Sequence, residues 1–417
     1  MAKRENMNTY QAATAPLATA AHRPPPSTRG WTIAAAAWMV TAVFILSNSA
    51  TPLYVHWQRQ FAFSSATLTV IFASYIAGLL GALLVAGQLS DRLGRKAVLV
   101  PAFLIAMAAC GLFATAASVA ALVAARFLTG VAVGVIVSAG MAAVVDVGGP
   151  DRKRQASLAA SIAMVLGAGL GPLLAGTLTQ VMDRPVWPIF GIELTLLATA
   201  LAVIVAMPLP GLPRGSGAVP ARRLRLPSVP AQNRLDLALG IAVFAPGITA
   251  TSFVLSLGPA LLSKLLHVSS PLVAGGTACL MFLSATGVQF AVKKLSIRTV
   301  LLLGAAATAL SMVAMILAVH AAAPALLLAA AVLAGMGQGQ GQLGGLTLIG
   351  LKVPDQQRAQ ANSLLNIGGY IPAGLLPVAT GFLIDRAGLA AGATTFTVVL
   401  IAAAAAAAGF VAARLPR

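Results

Sequence analysis

Charged residues are scarce in this sequence, and acidic residues are the scarcest of them. Only 9% of the 417 residues are Asp, Glu, Lys or Arg, whereas 59% are hydrophobic. A soluble globular domain carries about 25% charged residues, so this chain has too few charges to cover a water-exposed surface. The composition excludes a soluble protein and predicts an integral membrane protein.

The sequence also lacks the residue patterns of disulfide frameworks, metal clusters and common catalytic sites. Its two cysteines, Cys110 and Cys279, each lie inside an apolar run, and its four histidines lack metal-ligand spacing. It contains neither a nucleophile–base set nor a Walker lysine motif. We therefore expect no enzyme, no ATP-driven pump, no metal and no cofactor.

Long apolar runs fill most of the chain. A helix needs about 20 residues to cross a hydrocarbon core of about 30 Å, and the sequence contains twelve runs of that length. The predicted spans are 31–53, 65–87, 97–118, 120–145, 156–181, 186–207, 236–260, 271–292, 299–319, 324–349, 359–383 and 390–413. The sequence thus predicts an all-α membrane fold of twelve transmembrane helices.

Basic residues are distributed unevenly between the predicted loops. If both termini are cytoplasmic, 22 of the 27 Lys and Arg residues lie in cytoplasmic segments and 4 in outer loops, while Arg126 lies within a span. Cytoplasmic loops carry an excess of Lys and Arg, so we expect both termini in the cytoplasm and the protein in the plasma membrane (the inner membrane of a bacterium). Because the bases are not gathered into one basic domain, no nucleic-acid partner is expected.

A proline-rich segment, 208–235, divides the spans into two groups of six. Its arginines are expected to lie against anionic lipid headgroups. The predicted organisation is a disordered cytoplasmic tail (1–30), two six-helix bundles (31–207 and 236–413), the basic linker between them and a short C-terminal tail (414–417). A weak repeat supports it: Pro150–Arg154 recurs as Pro354–Arg358, Gly130 and Gly134 recur as Gly335 and Gly339, and Pro172 and Gly176 recur as Pro377 and Gly381.

A charged loop, Gly87–Lys96, connects the second and third spans. Its pattern G-x-x-x-D-R-x-G-R-K/R resembles the loop at the same place in major facilitator superfamily transporters, and every specified position matches. The resemblance implies two pseudo-symmetric bundles that this loop latches together in the outward-facing state. The latch residues would be Gly87, Asp91, Arg92, Gly94 and Arg95. The alternative is a loop that serves only to keep its bases in the cytoplasm.

The fourth span contains an arginine followed by two glycines, Arg126, Gly130 and Gly134. This spacing is similar to the family's R-x-x-x-G-x-x-x-G element, whose arginine is associated with proton coupling. An arginine within a span costs about 2.5–3.5 kcal/mol on insertion scales and must face protein or water. Gly130 and Gly134 permit close helix packing. A purely structural arginine remains the alternative.

Two acidic residues are further candidates for carrying protons. Glu193, in the sixth span, lies at about the depth of Arg126, and a pair of these residues could load and release a proton. A fixed structural pair is equally open. Asp146, at the cytoplasmic end of the fourth span, is a second candidate, although it could instead pair with Arg152 or Arg154.

The fifth span resembles the family's antiporter element, G-x-x-L-G-P-x-x-G-G. Gly167, Gly171, Pro172 and Gly176 match, while Ala175 replaces the first of the paired glycines. Glycine and proline allow the helix to bend and another bundle to slide close to it. The resemblance implies export by antiport, and ordinary packing of small residues is the alternative.

Polar side chains at helical spacing mark a candidate cavity. Because unpaired polar groups are costly in lipid, such stripes are expected to point inward, although hydrogen bonding between helices would also explain them. The candidate cavity residues are Asn48, Thr51, Thr249, Ser252, Ser256, Gln338, Gln342, Asn362, Asn366 and Tyr370.

Together these features predict a monomeric secondary transporter that works by alternating access. The more specific prediction is a proton-coupled exporter of small, largely apolar compounds, with a proton gradient as its energy source. One alternative is a uniporter or proton symporter for a sugar, amino acid or organic acid. The other is a non-transporting scaffold or receptor on the same fold.

Overall fold

Helices account for nearly all of the described chain. The structure, a computed structural model, describes residues 30–149, 151–207, 209 and 227–415. Within these ranges the α-helices are α1 (Gly30–Ser49), α2 (Tyr54–Phe61), α3 (Ser65–Leu93), α4 (Arg95–Ala114), α5 (Val119–Val135), α6 (Met141–Gly148), α7 (Lys153–Val181), α8 (Val186–Ala206), α9 (Arg234–Lys264), α10 (Pro271–Val292), α11 (Ile297–His320), α12 (Pro324–Lys352), α13 (Asp355–Ala387) and α14 (Leu389–Arg414). Most of the predicted tail and linker lies outside the described residues.

The predicted all-helical membrane fold is confirmed. Eleven helical stretches of the described chain are long and apolar enough to cross a membrane. The remaining predicted span, 324–349, corresponds to α12, which has 29 residues but carries Gln338, Gln340 and Gln342 in its centre. These three amides lower the hydropathy of α12 without shortening it.

Two predicted spans are less regular than expected. The first continues past Ser49 through a 3₁₀ turn at Thr51–Leu53, which contains a proline, and then as α2. The fourth consists of α5 and α6 joined by a π-helical segment, Ile136–Gly140. There the Ser138 hydroxyl donates to the Gly134 carbonyl at 3.0 Å. A hydroxyl that donates to a carbonyl one turn earlier competes with the regular backbone hydrogen bonds of the helix.

Local sequence signals explain several helix ends. Ser270 caps α10 by accepting a hydrogen bond from the Val273 N–H, and Pro271 occupies the first turn, where its missing N–H costs nothing. Gly94 ends α3 with φ at 90°, a conformation that favours glycine. Successive spans run in opposite directions, so Gly94 marks one face of the molecule, which we call the motif face. The other is the opposite face.

Glycines bring the backbones of two helix pairs into contact at equivalent places in the two halves. In the first half, a methyl group on Gly130 of α5 would overlap the Tyr75 carbonyl oxygen of α3. In the second half, a methyl group on Gly335 of α12 would overlap the Met281 carbonyl oxygen of α10. The weak sequence repeat therefore corresponds to a repeated mode of packing.

The two bundles meet along two seams, α7 against α10 and α3 against α13. Gly176 of α7 packs against the Pro271 carbonyl of α10. Gly381 of α13, which corresponds to Gly176 in the sequence repeat, packs against Ser65 and Thr69 of α3. Both contacts lie in the half of the molecule nearer the opposite face, because each joins the end of one helix to the start of another there.

Trp57 follows the first predicted span, a position that predicts a tryptophan at the membrane interface, but the structure buries it inside the bundle. Its side chain is only 1% exposed. The ring stacks on Phe113 and Phe190, with centroid distances of 5.7 Å and 6.3 Å. Trp31 and Trp187, which also fall at span ends, are 65% and 64% exposed. The continuation of the first span as α2 carries Trp57 back into the bundle.

The glycine contacts predict how substitutions affect stability. Gly130→Ala is expected to lower the melting temperature by several degrees, because overpacking costs about 1–3 kcal/mol. Gly111→Ala in α4 is the matched control, since no atom lies within 4 Å of the added methyl group. Thermal unfolding of the purified variants in detergent measures both. Equal melting temperatures for the two variants would contradict the tight packing of α5 on α3.

Candidate functional site

A cavity of about 150 Å³ lies at the centre of the molecule, between the two bundles. Both bundles contribute to its wall, through α1, α3, α5, the π-helical segment and α7 on one side and α9, α10, α12 and α13 on the other. Its polar lining residues are Asn48, Tyr75, Thr251, Ser252, Thr286, Gln289, Gln338, Gln342, Asn366 and Tyr370. The remaining lining side chains are Phe, Leu, Ile, Val, Met and Ala, and no described lining residue is charged.

The cavity extends toward the motif face. Gln289, one of its lining residues, lies in the last turn of α10, which ends at that face. Toward the opposite face the two seams lie across the exit, with Gly176 on Pro271 in one and Gly381 on Thr69 in the other. The structure thus combines contact between the bundles at one face with a cavity directed to the other.

Six of the ten predicted cavity residues line this cavity: Asn48, Ser252, Gln338, Gln342, Asn366 and Tyr370. The other four lie elsewhere in this structure. Thr249 borders a separate groove between α9, α13 and α14, and its hydroxyl donates to the Ala245 carbonyl. Ser256 is fully buried and donates to the Phe253 carbonyl.

Thr51 and Asn362 also lie outside the central cavity. Thr51 is 1% exposed and lines a smaller pocket with residues of α9 and α10. The Asn362 carbonyl accepts a hydrogen bond from the Asn366 side chain at 2.9 Å, while its own side-chain oxygen is buried without a hydrogen-bond partner.

Four polar lining residues were not predicted from the sequence: Tyr75, Thr251, Thr286 and Gln289. Thr286 and Gln289 lie on α10, Tyr75 lies on α3 and Thr251 lies on α9. A tyrosine in the middle of an apolar run, and a threonine and glutamine one helical turn apart, were the available signals.

Arg126 is completely buried in α5. One terminal nitrogen donates to the Ser47 carbonyl of α1 at 2.5 Å. The rings of Tyr54, Phe72 and Tyr75 surround the guanidinium, with centroids 5.3, 5.3 and 5.4 Å from its central carbon. Ring faces attract a cation, and more strongly away from water. The charge is therefore held by aromatic rings and a carbonyl.

The Arg126 guanidinium lies one layer behind the cavity wall. Phe72 and Tyr75 each line the cavity and also flank the guanidinium. Among the described residues, two of its nitrogens, Nε and Nη2, have no hydrogen-bond partner. Phe72 and Tyr75 thus lie between a partly unsatisfied guanidinium and the cavity.

Glu193 is also buried, but it does not pair with Arg126. Its side chain is 1% exposed, and among the described residues neither carboxylate oxygen has a hydrogen-bond partner. Ser49 of α1 lies beside it, whereas Arg126 binds the backbone carbonyl of Ser47 in the same helix. The ion pairs of the described residues do not include one between Glu193 and Arg126. The equal depth expected from the sequence does not bring them together.

The charged loop forms ion pairs within its own bundle. Arg95 binds Asp146 at 2.9 Å and Asp91 at 3.1 Å, and it also donates to the Ser90 hydroxyl. The sequence predicted Arg152 or Arg154 as a partner of Asp146 and missed Arg95, which begins α4 and lies 51 residues away in the chain. Gly87 and Arg92 belong to the same segment, at the motif-face end of α3.

The antiporter-like element of α7 serves two different contacts. Gly167 and Gly171 pack against the α1 backbone within the first bundle. Pro172 and Gly176 contact Gly275 and Pro271 of α10 in the second bundle. The element thus lies between its own bundle and the seam, where small residues allow backbones to approach.

Comparison with known proteins decides the family. The family model described as Major Facilitator Superfamily matches residues 30–298 and 288–417. The chain belongs to the Major Facilitator Superfamily. It is a membrane-spanning transporter of that superfamily, and the resemblance inferred from its loop motif is confirmed.

Solved structures of this superfamily share the fold at low sequence identity. A nucleoside transporter, NupG, gives a TM-score of 0.69 at 14% identity, covering 92% of this chain and 100% of that one. A bacterial homologue of the human lysosomal transporter Spinster, in an inward-facing unoccupied conformation, gives 0.72 at 17%, with 93% and 97% covered. An auto-inhibited peptide transporter of the POT family gives 0.71 at 17%, with 93% and 98% covered. No curated protein sequence matches significantly.

The surroundings of Arg126 predict that its replacement will reduce transport without reducing thermal stability. Arg126→Met removes a buried charge that has no acidic partner, so thermal stability is expected to stay level or rise. Transport is expected to fall by at least tenfold if the charge serves the transport cycle. The matched control is Phe103→Leu, a fully buried substitution in α4 away from the cavity, which should lower stability and leave transport largely intact. A large loss of stability in Arg126→Met would identify a structural arginine.

Proposed function

We propose that this superfamily member is a proton-coupled exporter of small, largely apolar compounds, such as drugs or metabolites. The observation that carries the proposal is the character of the central cavity. Its wall combines apolar side chains with amides and hydroxyls and includes no charged residue among those described. Such a lining suits neutral molecules with few polar groups.

Proton coupling is assigned to the buried ionisable groups around the cavity. Among the described residues, Arg126 lies behind Tyr75 with two nitrogens that have no hydrogen-bond partner, and Glu193 is buried beside Ser49 without an ion-pair partner. Groups left unsatisfied in the membrane are costly and are retained for function. Asp146, paired with Arg95 at the motif face, is the third candidate. A proton gradient would supply about 2.3 kcal/mol per elementary charge per 100 mV.

Export is supported by orientation and by the α7 element. The excess of Lys and Arg in segments at the motif face assigns that face to the cytoplasm. The cavity of this structure then extends toward the cytoplasm, the side from which an exporter takes up its cargo. Pro172 and Gly176 lie in the seam that must separate when the outer face opens.

A second candidate is a carrier for a polar nutrient, working as a uniporter or proton symporter. Two structural neighbours transport a nucleoside and peptides. The amides Gln289, Gln338 and Gln342 could bind a hydroxyl-rich or amide-rich substrate. The absence of charge from the described lining favours the apolar class.

Proteoliposomes with an imposed pH gradient test the proposal. Vesicles with an entrapped pH indicator are exposed to a panel of lipophilic drugs, nucleosides, sugars and amino acids. We expect one or more lipophilic compounds to move opposite to protons and to dissipate the gradient. Movement of a sugar or nucleoside together with protons, or without them, would favour the second candidate. No flux for any compound would favour a scaffold or receptor.

A further inference from the structure

Asp385 joins the two bundles at the opposite face. It lies in the last turn of α13, and its carboxylate oxygens accept hydrogen bonds from the backbone N–H groups of Ser65 (2.9 Å) and Ala66 (3.0 Å). These residues begin α3, which belongs to the other bundle. A helix leaves its first N–H groups without partners inside the helix, and here a side chain from across the seam supplies them.

The start of α3 is fully paired only when Asp385 is in place. The next N–H, of Thr67, donates to the Ser64 hydroxyl at 3.2 Å, and that of Leu68 donates to the Ser64 carbonyl at 3.1 Å. A carboxylate is favoured at the start of a helix and disfavoured at the end of its own. The position of Asp385 is therefore unfavourable for α13 and favourable for α3, which indicates a role between the bundles.

A second observation links this contact to the motif face. Asp385 belongs to an Asp-Arg-x-Gly sequence that ends α13, and Asp91 belongs to the same sequence at the end of α3. The glycines have the same conformation, with φ 90° and ψ 159° at Gly94 and φ 90° and ψ 161° at Gly388. Each is followed directly by the next helix. The two helices of one seam thus end in the same local structure at opposite faces.

We propose that Asp385 is a positioning residue of the transport cycle, which caps α3 to hold the opposite face closed and is the counterpart of the motif-face latch that the resemblance assigns to Asp91. In the present structure the Asp385 cap is made, while Asp91 pairs with Arg95 in its own bundle. Exchanging the Asp385 cap for the Asp91 latch keeps the two states close in free energy. The inference rests on the alternating access of the proposed function.

Cross-linking across the other seam tests this without any substrate. Gln180 of α7 and Ser270 of α10 lie in hydrogen-bond contact at the opposite face, 2.9 Å apart. The starting protein for this assay, called the parent, carries Gln180→Cys and Ser270→Cys, and both native cysteines are replaced by alanine. Asp385→Asn is expected to lower its disulfide cross-linking about fivefold, the effect of losing one N-terminal cap. Asp183→Asn, at the same face beyond the end of α7, is the matched control and should change nothing.

The reciprocal claim is tested by combining the two substitutions. Asp91→Asn/Asp385→Asn removes one contact between the bundles from each state, so cross-linking should return to within twofold of the parent. Cross-linking unchanged by Asp385→Asn, or lowered equally by Asp183→Asn, would overturn the role of Asp385. A double variant that stays low would overturn Asp385 as the counterpart of the Asp91 latch.

A second readout distinguishes gating from simple loosening of the fold. A cysteine at Gln289, in the cavity near the motif face, should react more slowly with a soluble maleimide in Asp385→Asn, because that face closes more often. Faster labelling would indicate a merely structural contact and contradict the proposal. If Asp385→Asn does not accumulate, Asp385→Glu should give a smaller change of the same sign. Neither assay needs substrate or a gradient, so failure here is separable from failure of the transport test.

Discussion

Close approach between helix backbones is the constraint on which the rest of this structure depends. In lipid, helices gain little from burying apolar side chains against each other, so packing relies on small residues and on pairing of polar groups. Within each bundle, Gly130 and Gly335 supply such contacts at equivalent places. Between the bundles, Gly176 and Gly381 supply such contacts near the opposite face. The two bundles touch closely near the opposite face, and the cavity separates them at the centre of the molecule. This arrangement leaves room for one bundle to rotate against the other.

The same constraint determines where charge can lie. Arg126 and Glu193 are both buried, and among the described residues neither has an ion-pair partner. Three aromatic rings take the place of a counter-ion around Arg126, and two of these rings also form part of the cavity wall. A change in the cavity therefore changes the surroundings of the charge directly.

The sequence predicted the spans well because their cause is local. About twenty apolar residues are enough to cross the membrane as a helix, and α10 (Pro271–Val292) begins and ends where the span 271–292 was predicted. Contacts across the fold were harder to predict, because helical spacing gives the face of a residue but not the neighbour that meets it. Thr249 and Ser256 share a face with Ser252, yet only Ser252 reaches the cavity. Asp385 went unnoticed because its partners are backbone N–H groups 319 and 320 residues away.

Distances between spin labels at the two faces test the central claim most directly. One pair, at Val181 and Leu272, spans the α7–α10 seam at the opposite face, and the other, at Gln155 and Lys293, spans the same two helices at the motif face. Pulsed electron paramagnetic resonance in nanodiscs, with pH and substrate varied, reports both. The account predicts that the first distance lengthens whenever the second shortens. Two distances that stay fixed, or that lengthen together, would contradict rocking of the bundles about the cavity.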